Sequence, residues 1–168
     1  MQRVSFRLVS GFLFLASVIG MAFALFLEKT ANLDPCPLCI FQRVGLMGLG
    51  LFSLIAFLHN PKAGGVKRFY ALLSTLTIGW SAGVAARQVW LQHLPKDQVP
   101  SCGPGLDYLV SALPLQTVFK EVLSGSGECA VVDWTFLGQS LAVWSLVFFS
   151  FLLIICLWQL FRKYPVLK

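Results

Sequence analysis

Four stretches of this chain each run for about the twenty apolar residues that a helix needs to cross a bilayer, and nothing else in the sequence constrains its fold as strongly. They cover residues 8–27, 40–58, 69–91 and 136–161. In lipid every backbone N–H and C=O must find a partner within the chain, so each stretch reads as a helix. Charged residues are 12% of the chain, against about 25% in soluble domains. The expected architecture is an all-α four-helix transmembrane bundle, one domain over residues 1–168, with a short outer loop at about 28–39 and a long one at about 92–135. Too little chain is left for a large aqueous domain.

The cationic residues orient this bundle, because short cytoplasmic loops carry an excess of Lys and Arg. With the N-terminus inside, Arg3, Arg7, Lys62, Lys67, Arg68, Arg162, Lys163 and Lys168 are cytoplasmic, while all seven acids fall outside. Both termini are therefore expected in the cytoplasm. The net charge of +6 is read as topology and contact with anionic lipid headgroups, with no nucleic-acid partner. Ala22-Phe23-Ala24 resembles the small-residue pattern of a signal-peptide cleavage site. The apolar run continues through Leu25-Phe26-Leu27, so the segment reads as a retained span.

At the threshold of the second span stands Cys36-Pro37-Leu38-Cys39-Ile40-Phe41-Gln42-Arg43. A C-x-x-C pair alternates between dithiol and disulfide and so passes two electrons, and a helix N-terminus favours a thiolate. Pro37 suits the opening of a helix. With a helix starting near Leu38, Arg43 lies one turn beyond Cys39 on the same face, its side chain leaning back toward the sulfur. Two readings of Arg43 stand. It snorkels to the headgroups, or it stabilises a thiolate or an anionic cofactor beside Cys39, since charge inside a membrane is a functional hypothesis by default.

Elsewhere the spans carry small residues suited to close helix packing: Gly45, Gly48 and Gly50 in the second, and Gly79 and Gly83 at G-x-x-x-G spacing in the third. Gly64-Gly65 is expected to break the cytoplasmic turn, and His59 reads as interfacial. Arg87 and Gln88, near the outer end of the third span, either snorkel or line one pocket with Arg43.

The long outer loop contains Cys102 and Cys129. A segment this short cannot build a sufficient core of its own and calls for a disulfide staple. Leu115, Val118, Phe119, Val122 and Leu123 recur at helical spacing before Ser124-Gly125-Ser126-Gly127, predicting a short amphipathic helix with a glycine-rich stop. It lies flat on the outer surface or packs on the bundle, and the Gly/Ser stretch is expected to leave Cys129 free to move. Cys156, deep in the last span, reads as an inert buried thiol. The other four cysteines allow three connectivities; proximity in sequence favours Cys36 with Cys39 and Cys102 with Cys129. Four thiolates around zinc is the rival, but the second pair lacks short spacing.

The C-x-x-C opening the second helix, the arginine four residues on, the paired cysteines of the long loop and the four-helix topology together resemble the DsbB family, the bacterial inner-membrane disulfide-bond formation proteins. The likeness covers nearly the whole chain. It implies a membrane oxidoreductase that reoxidises a DsbA-like periplasmic thioredoxin-fold oxidase and passes electrons to a membrane quinone, ubiquinone or menaquinone. It also implies roles for the residues. Cys102 is attacked by the partner's thiolate, releasing Cys129; Cys129 attacks Cys36; Cys39 becomes the thiolate that faces the quinone; Arg43 holds the quinone ring. Some relatives have a histidine near the outer end of the third helix, where this chain has Arg87 and Gln88, and His93 receives no role.

Two other classes share part of this pattern. A vitamin K epoxide reductase-type enzyme has C-x-x-C and quinone chemistry, with its pair expected near the last helix. A non-enzymatic tetraspanin-like organiser has a small and a large loop with structural disulfides, but a much longer second loop and no need of Arg43. No dinucleotide-binding G-x-G-x-x-G or haem-attaching C-x-x-C-H is present to carry electrons by another route.

Overall fold

A computed structural model describes residues 5–31, 35–95, 97–99, 114–125, 127–132 and 134–164. Four helices in it are long and apolar enough to cross a membrane, and the chain is an all-α four-helix membrane protein. Helix α1 is Phe6–Ala31, α2 is Pro37–His59 and α3 is Gly64–Gln92. Two shorter elements follow, α4 at Leu115–Ser124 and a 3-10 turn at Gly127–Ala130. A two-stranded antiparallel hairpin comes next, β1 at Thr135–Phe136 and β2 at Gln139–Ser140, with Thr135 opposite Ser140. The last span, α5, is Leu141–Phe161.

The ends of these helices follow from local chemistry. Cys36 is the extended N-cap of α2 and Pro37 its first residue, a position where the missing N–H costs nothing. At the other end Asn60 takes the left-handed conformation, φ 42°, and closes the helix through its N–H on the Ala56 carbonyl. The break is complete there, so Gly64-Gly65 opens α3 and does not interrupt the turn as expected. The fourth span also starts later than residue 136. Leu137 and Gly138 both have positive φ, 51° and 76°, the pair of values that turns a two-residue hairpin. Residues 136–140 are thus a hairpin whose apolar side chains extend the hydropathy of the span without joining its helix.

Helix α1 packs on α2, α2 on α3, and α3 on α5. Between them lies a core of Leu13, Leu46, Leu49, Ile78, Ala85, Leu152 and Cys156, with Cys156 fully buried among apolar groups as the sequence suggested. Outward, Leu8, Leu15, Ile19, Leu76 and Ile154 are exposed, the arrangement for a lipid-facing surface.

Helices α2 and α3 approach closely at Gly45. A Cβ on Gly45 would collide with Ser81 Oγ and stand 2.7 Å from the Thr77 carbonyl, while Ser81 Oγ donates to the Gln42 carbonyl at 2.9 Å. Gly48 faces Thr77, and Gly50 faces Ser17 of α1, whose hydroxyl donates to the Leu46 carbonyl at 3.0 Å. The G-x-x-x-G pair of α3 does not serve this purpose. A Cβ on Gly79 would meet one Leu153 methyl at 3.9 Å, and one on Gly83 would meet nothing within 4 Å.

A second apolar cluster closes the cysteine-bearing end. Val118 and Val122 of α4 pack with Leu38, Val84, Leu91 and Cys129, so α4 is seated on the bundle. The side chains of Leu115 and Phe119 lie outside the described residues. Arg87 ties α4 to α3, stacking over Trp90 at 4.1 Å and donating from Nε to the Leu123 carbonyl at 3.3 Å. Gly125, at φ 84°, sits against Leu91 where a Cβ would collide. The loop therefore holds Cys129, 1% exposed, where freedom of movement was expected.

Candidate active site

The start of α2 presents its sulfurs inward. Leu38 and Pro37 are buried and wedge the first turn into the bundle, which leaves Cys36 and Cys39 half-buried with their sulfurs 3.3 Å apart, Cys36 donating to Cys39. The 3-10 turn brings Cys129 against Cys36 from the loop side. Hydrogen bonding to Cys129 first, then to Cys39, together with burial, pushes the Cys36 thiol up. Three of the four cysteines expected at the site thus meet at one point; Cys102 lies outside the described residues.

Arg43 is one turn further into α2. Its Nη1 donates to Glu28 Oε2 at 2.7 Å, with the two side chains 22% and 33% exposed. Glu28 ends the apolar run of α1, and it holds the arginine at the mouth of the site instead of leaving it to reach headgroups alone. The sequence reading named no partner for Arg43.

Beneath the sulfurs two buried amides meet. Gln42 Nε2 donates to Gln88 Oε1 at 2.7 Å, and Gln88 Nε2 reaches Cys39 Sγ at 3.4 Å and Cys36 Sγ at 3.6 Å. Of the two α3 residues left open by the sequence, Gln88 joins this site, and Arg87 faces the loop helix. Gln42 was missed. Its signal was available, a polar residue inside a span three positions after Cys39 and so on the same face.

Cys36, Cys39, Gln42, Arg43, Glu28, Gln88 and Gln92 form the polar end of a cavity of about 840 Å³. Its walls are apolar and come from three spans, through Ile19, Phe23, Leu46, Trp144 and Phe148, and from Trp134 in the segment after Cys129. Trp134 stacks on Phe136 of the hairpin at 6.0 Å, and Trp144 Nε1 donates to the Phe136 carbonyl at 3.1 Å. Chemically the arrangement offers a dithiol, a third sulfur beside Cys36, a cation and a largely apolar space between helices. Its size falls within the range of roughly 300–1,000 Å³ of small-molecule sites.

A family model described as "Disulfide bond formation protein DsbB" matches residues 6–159. The chain is 69% identical over 167 residues to Disulfide bond formation protein B of Acinetobacter baumannii, covering 99% of this chain and 98% of that one. It is 66% identical to the protein of that name from Acinetobacter baylyi, covering 97% and 95%. The protein of that name from Psychrobacter cryohalolentis is 53% identical, with 96% and 94% covered.

Proposed function

Since this chain belongs to the DsbB family of disulfide bond formation proteins, we propose that it reoxidises a DsbA-like thioredoxin-fold thiol oxidase and passes the two electrons to a membrane quinone, ubiquinone or menaquinone. Its coarser identity as a membrane thiol oxidoreductase follows from the family and the four spans. The observation that carries the finer reading is Cys129 lying against Cys36, with Cys36 and Cys39 together at the polar end of an apolar cavity within the bundle. Neither the reductase-type nor the tetraspanin-like alternative fits that family membership.

The exchange sequence balances bond by bond. A thiolate of the partner attacks Cys102 of a Cys102–Cys129 disulfide; that S–S bond breaks, a mixed disulfide forms, and Cys129 leaves with the electron pair. Cys129, already against Cys36, attacks it and breaks the Cys36–Cys39 disulfide, releasing Cys39 as a thiolate. The partner's second thiol then resolves the mixed disulfide and leaves oxidised. Freed Cys102 returns to Cys129, which releases Cys36. The partner has lost two electrons and two protons, and the Cys36/Cys39 dithiol has gained them. Thiolate availability and the leaving thiol set the rate of each exchange.

A flat ring with polar carbonyls and an apolar tail suits the cavity, whose polar end holds Cys39 and Arg43 and whose walls are aromatic and aliphatic. A bound quinone supplies an acceptor for the two electrons and two protons of the dithiol. Arg43 is fixed by Glu28 with its charge in electrostatic reach of Cys39. The Lys/Arg distribution supports an inner-membrane protein with both termini cytoplasmic and the cysteine-bearing end in the periplasm.

The test is anaerobic mixing of the detergent-solubilised protein with a reduced thioredoxin-fold partner and a soluble quinone. Turnover is expected to vanish in Cys39→Ser and Cys102→Ser, and Arg43→Ala to raise the apparent quinone KM. Unimpaired quinone reduction without Cys39, or none in the unmodified protein, overturns the proposal.

A further inference from the structure

We propose that Gln42 and Gln88 act as an amide pair that fixes the negative charge of the reduced site on Cys39. The inference rests on the reading of Cys36 and Cys39 as the redox pair, and it adds two positioning residues to it.

Both amides are almost fully buried, Gln42 at 4% and Gln88 at 6% exposure, and buried amide groups are ordinarily hydrogen-bonded. Between them one hydrogen bond runs, from Gln42 to Gln88. Gln42 Nε2 occupies Gln88 Oε1 at 2.7 Å, and this leaves Gln88 Nε2 facing the sulfurs, nearer to Cys39 than to Cys36. Cys39 Sγ also receives the Cys36 thiol at 3.3 Å. Two donors therefore converge on one sulfur, and hydrogen bonds to a charged acceptor are the strong ones.

The same amide serves the protonated state. Cys39 Sγ is 3.6 Å from Gln88 Oε1, so a neutral thiol retains an acceptor there. Gln88 thus meets either form of Cys39, and Gln42, by donating to Oε1, keeps the amide turned so that its N–H stays within reach of the sulfur. Position is set from below, where Ser81 Oγ holds the Gln42 carbonyl at 2.9 Å.

Interhelical amide pairs in membranes also act simply as glue between helices, and the experiment separates the two roles. It uses the full-length reduced protein in nanodiscs without quinone or partner, so its outcome does not depend on turnover. Two readouts are taken at one fixed pH: the ultraviolet absorbance of the thiolate, and iodoacetamide labelling of Cys39 located by mass spectrometry. Cys156, fully buried in the core, reports unfolding if it becomes labelled.

Gln88→Met keeps the shape and removes the donor. The thiolate signal is expected to fall about tenfold, the weight of one hydrogen bond to a charged group. Gln88→His, which restores a ring N–H, is expected to recover most of it. Gln42→Met is expected to fall less and to add nothing in the Gln88→Met background, because it acts only through Gln88. An unchanged thiolate in Gln88→Met, or equal loss in Gln88→Met and Gln88→His with Cys156 still protected, overturns the inference. A normal result here with no quinone reduction in the mixing assay would overturn the oxidase proposal alone.

Discussion

Replacing Gly45 by alanine tests the tightest glycine contact among the described residues. The added Cβ would stand 2.7 Å from the Thr77 carbonyl, about 0.7 Å short of the 3.4 Å at which ordinary contact begins, and would overlap Ser81 Oγ outright. Backbone cannot rotate aside, so α2 and α3 must separate by about that amount. The Gln42–Gln88 hydrogen bond, 2.7 Å long, then opens past the roughly 3.2 Å limit of a good N–H···O bond. The cost is about 1–3 kcal/mol for overpacking and about 1 kcal/mol for the Ser81 bond to the Gln42 carbonyl. Gly83→Ala is the control, because its Cβ meets nothing within 4 Å and alanine is favoured over glycine in a helix by roughly 0.5–1 kcal/mol. Thermal unfolding in a mild detergent, with thiolate absorbance recorded on the same samples, measures both. Gly45→Ala should melt well below the unmodified protein and lose thiolate, while Gly83→Ala should match or exceed it. Equal melting of the two variants would refute the close approach and the alignment of the amides that depends on it.

Three further outcomes are expected. Glu28→Gln leaves Arg43 charged but loosely held; the partly exposed pair is worth at most about 1 kcal/mol of stability, so melting should barely change while the apparent quinone KM rises severalfold in steady-state assays. Gly125→Ala must both leave φ 84° and displace Leu91. Its expected penalty is about 1–3 kcal/mol, and stopped-flow measurement should show slower exchange between Cys129 and Cys36 with quinone affinity unchanged. Cys156→Ala should retain full turnover and lose about 1–2 kcal/mol in a denaturant titration, the price of a small cavity.

Much of this was legible because membrane crossing is a length rule: twenty apolar residues announce a helix whatever packs around them. The same rule hid the hairpin. Phe136 and Leu137 are as apolar as the span they precede, and only the positive φ of Leu137 and Gly138 separates them from α5. Spacing marked Cys36, Cys39 and Arg43 because they are the N-cap and two residues in the first turns of one helix. Gln88 and Arg87 could not be sorted that way. They are about 100° apart on α3, and the rotation of α3, set by contacts with α2, decides which one faces the cavity. The glycines teach the same point. Four-residue spacing places Gly79 and Gly83 on one side of α3, but the neighbour that presses close is on the side of Thr77 and Ser81. Glu28 and Arg43 are fifteen positions apart on different helices, and no local pattern joins them.

The burial of Cys129 bears on leakage. A protein that keeps oxidising equivalents beside a pool of small free thiols is exposed to a short circuit, in which any passing thiol drains the disulfide and the acceptor is consumed for nothing. On the proposed relay Cys129, the sulfur that hands electrons on to Cys36, is 1% exposed, beneath α4 and against Cys36, so that its exchange with Cys36 would be intramolecular and run at an effective concentration that no dissolved thiol of ordinary abundance matches. Insulation and speed come from the same packing. Loosening the loop would therefore carry two penalties at once, a slower internal transfer and a site open to every competing thiol in solution.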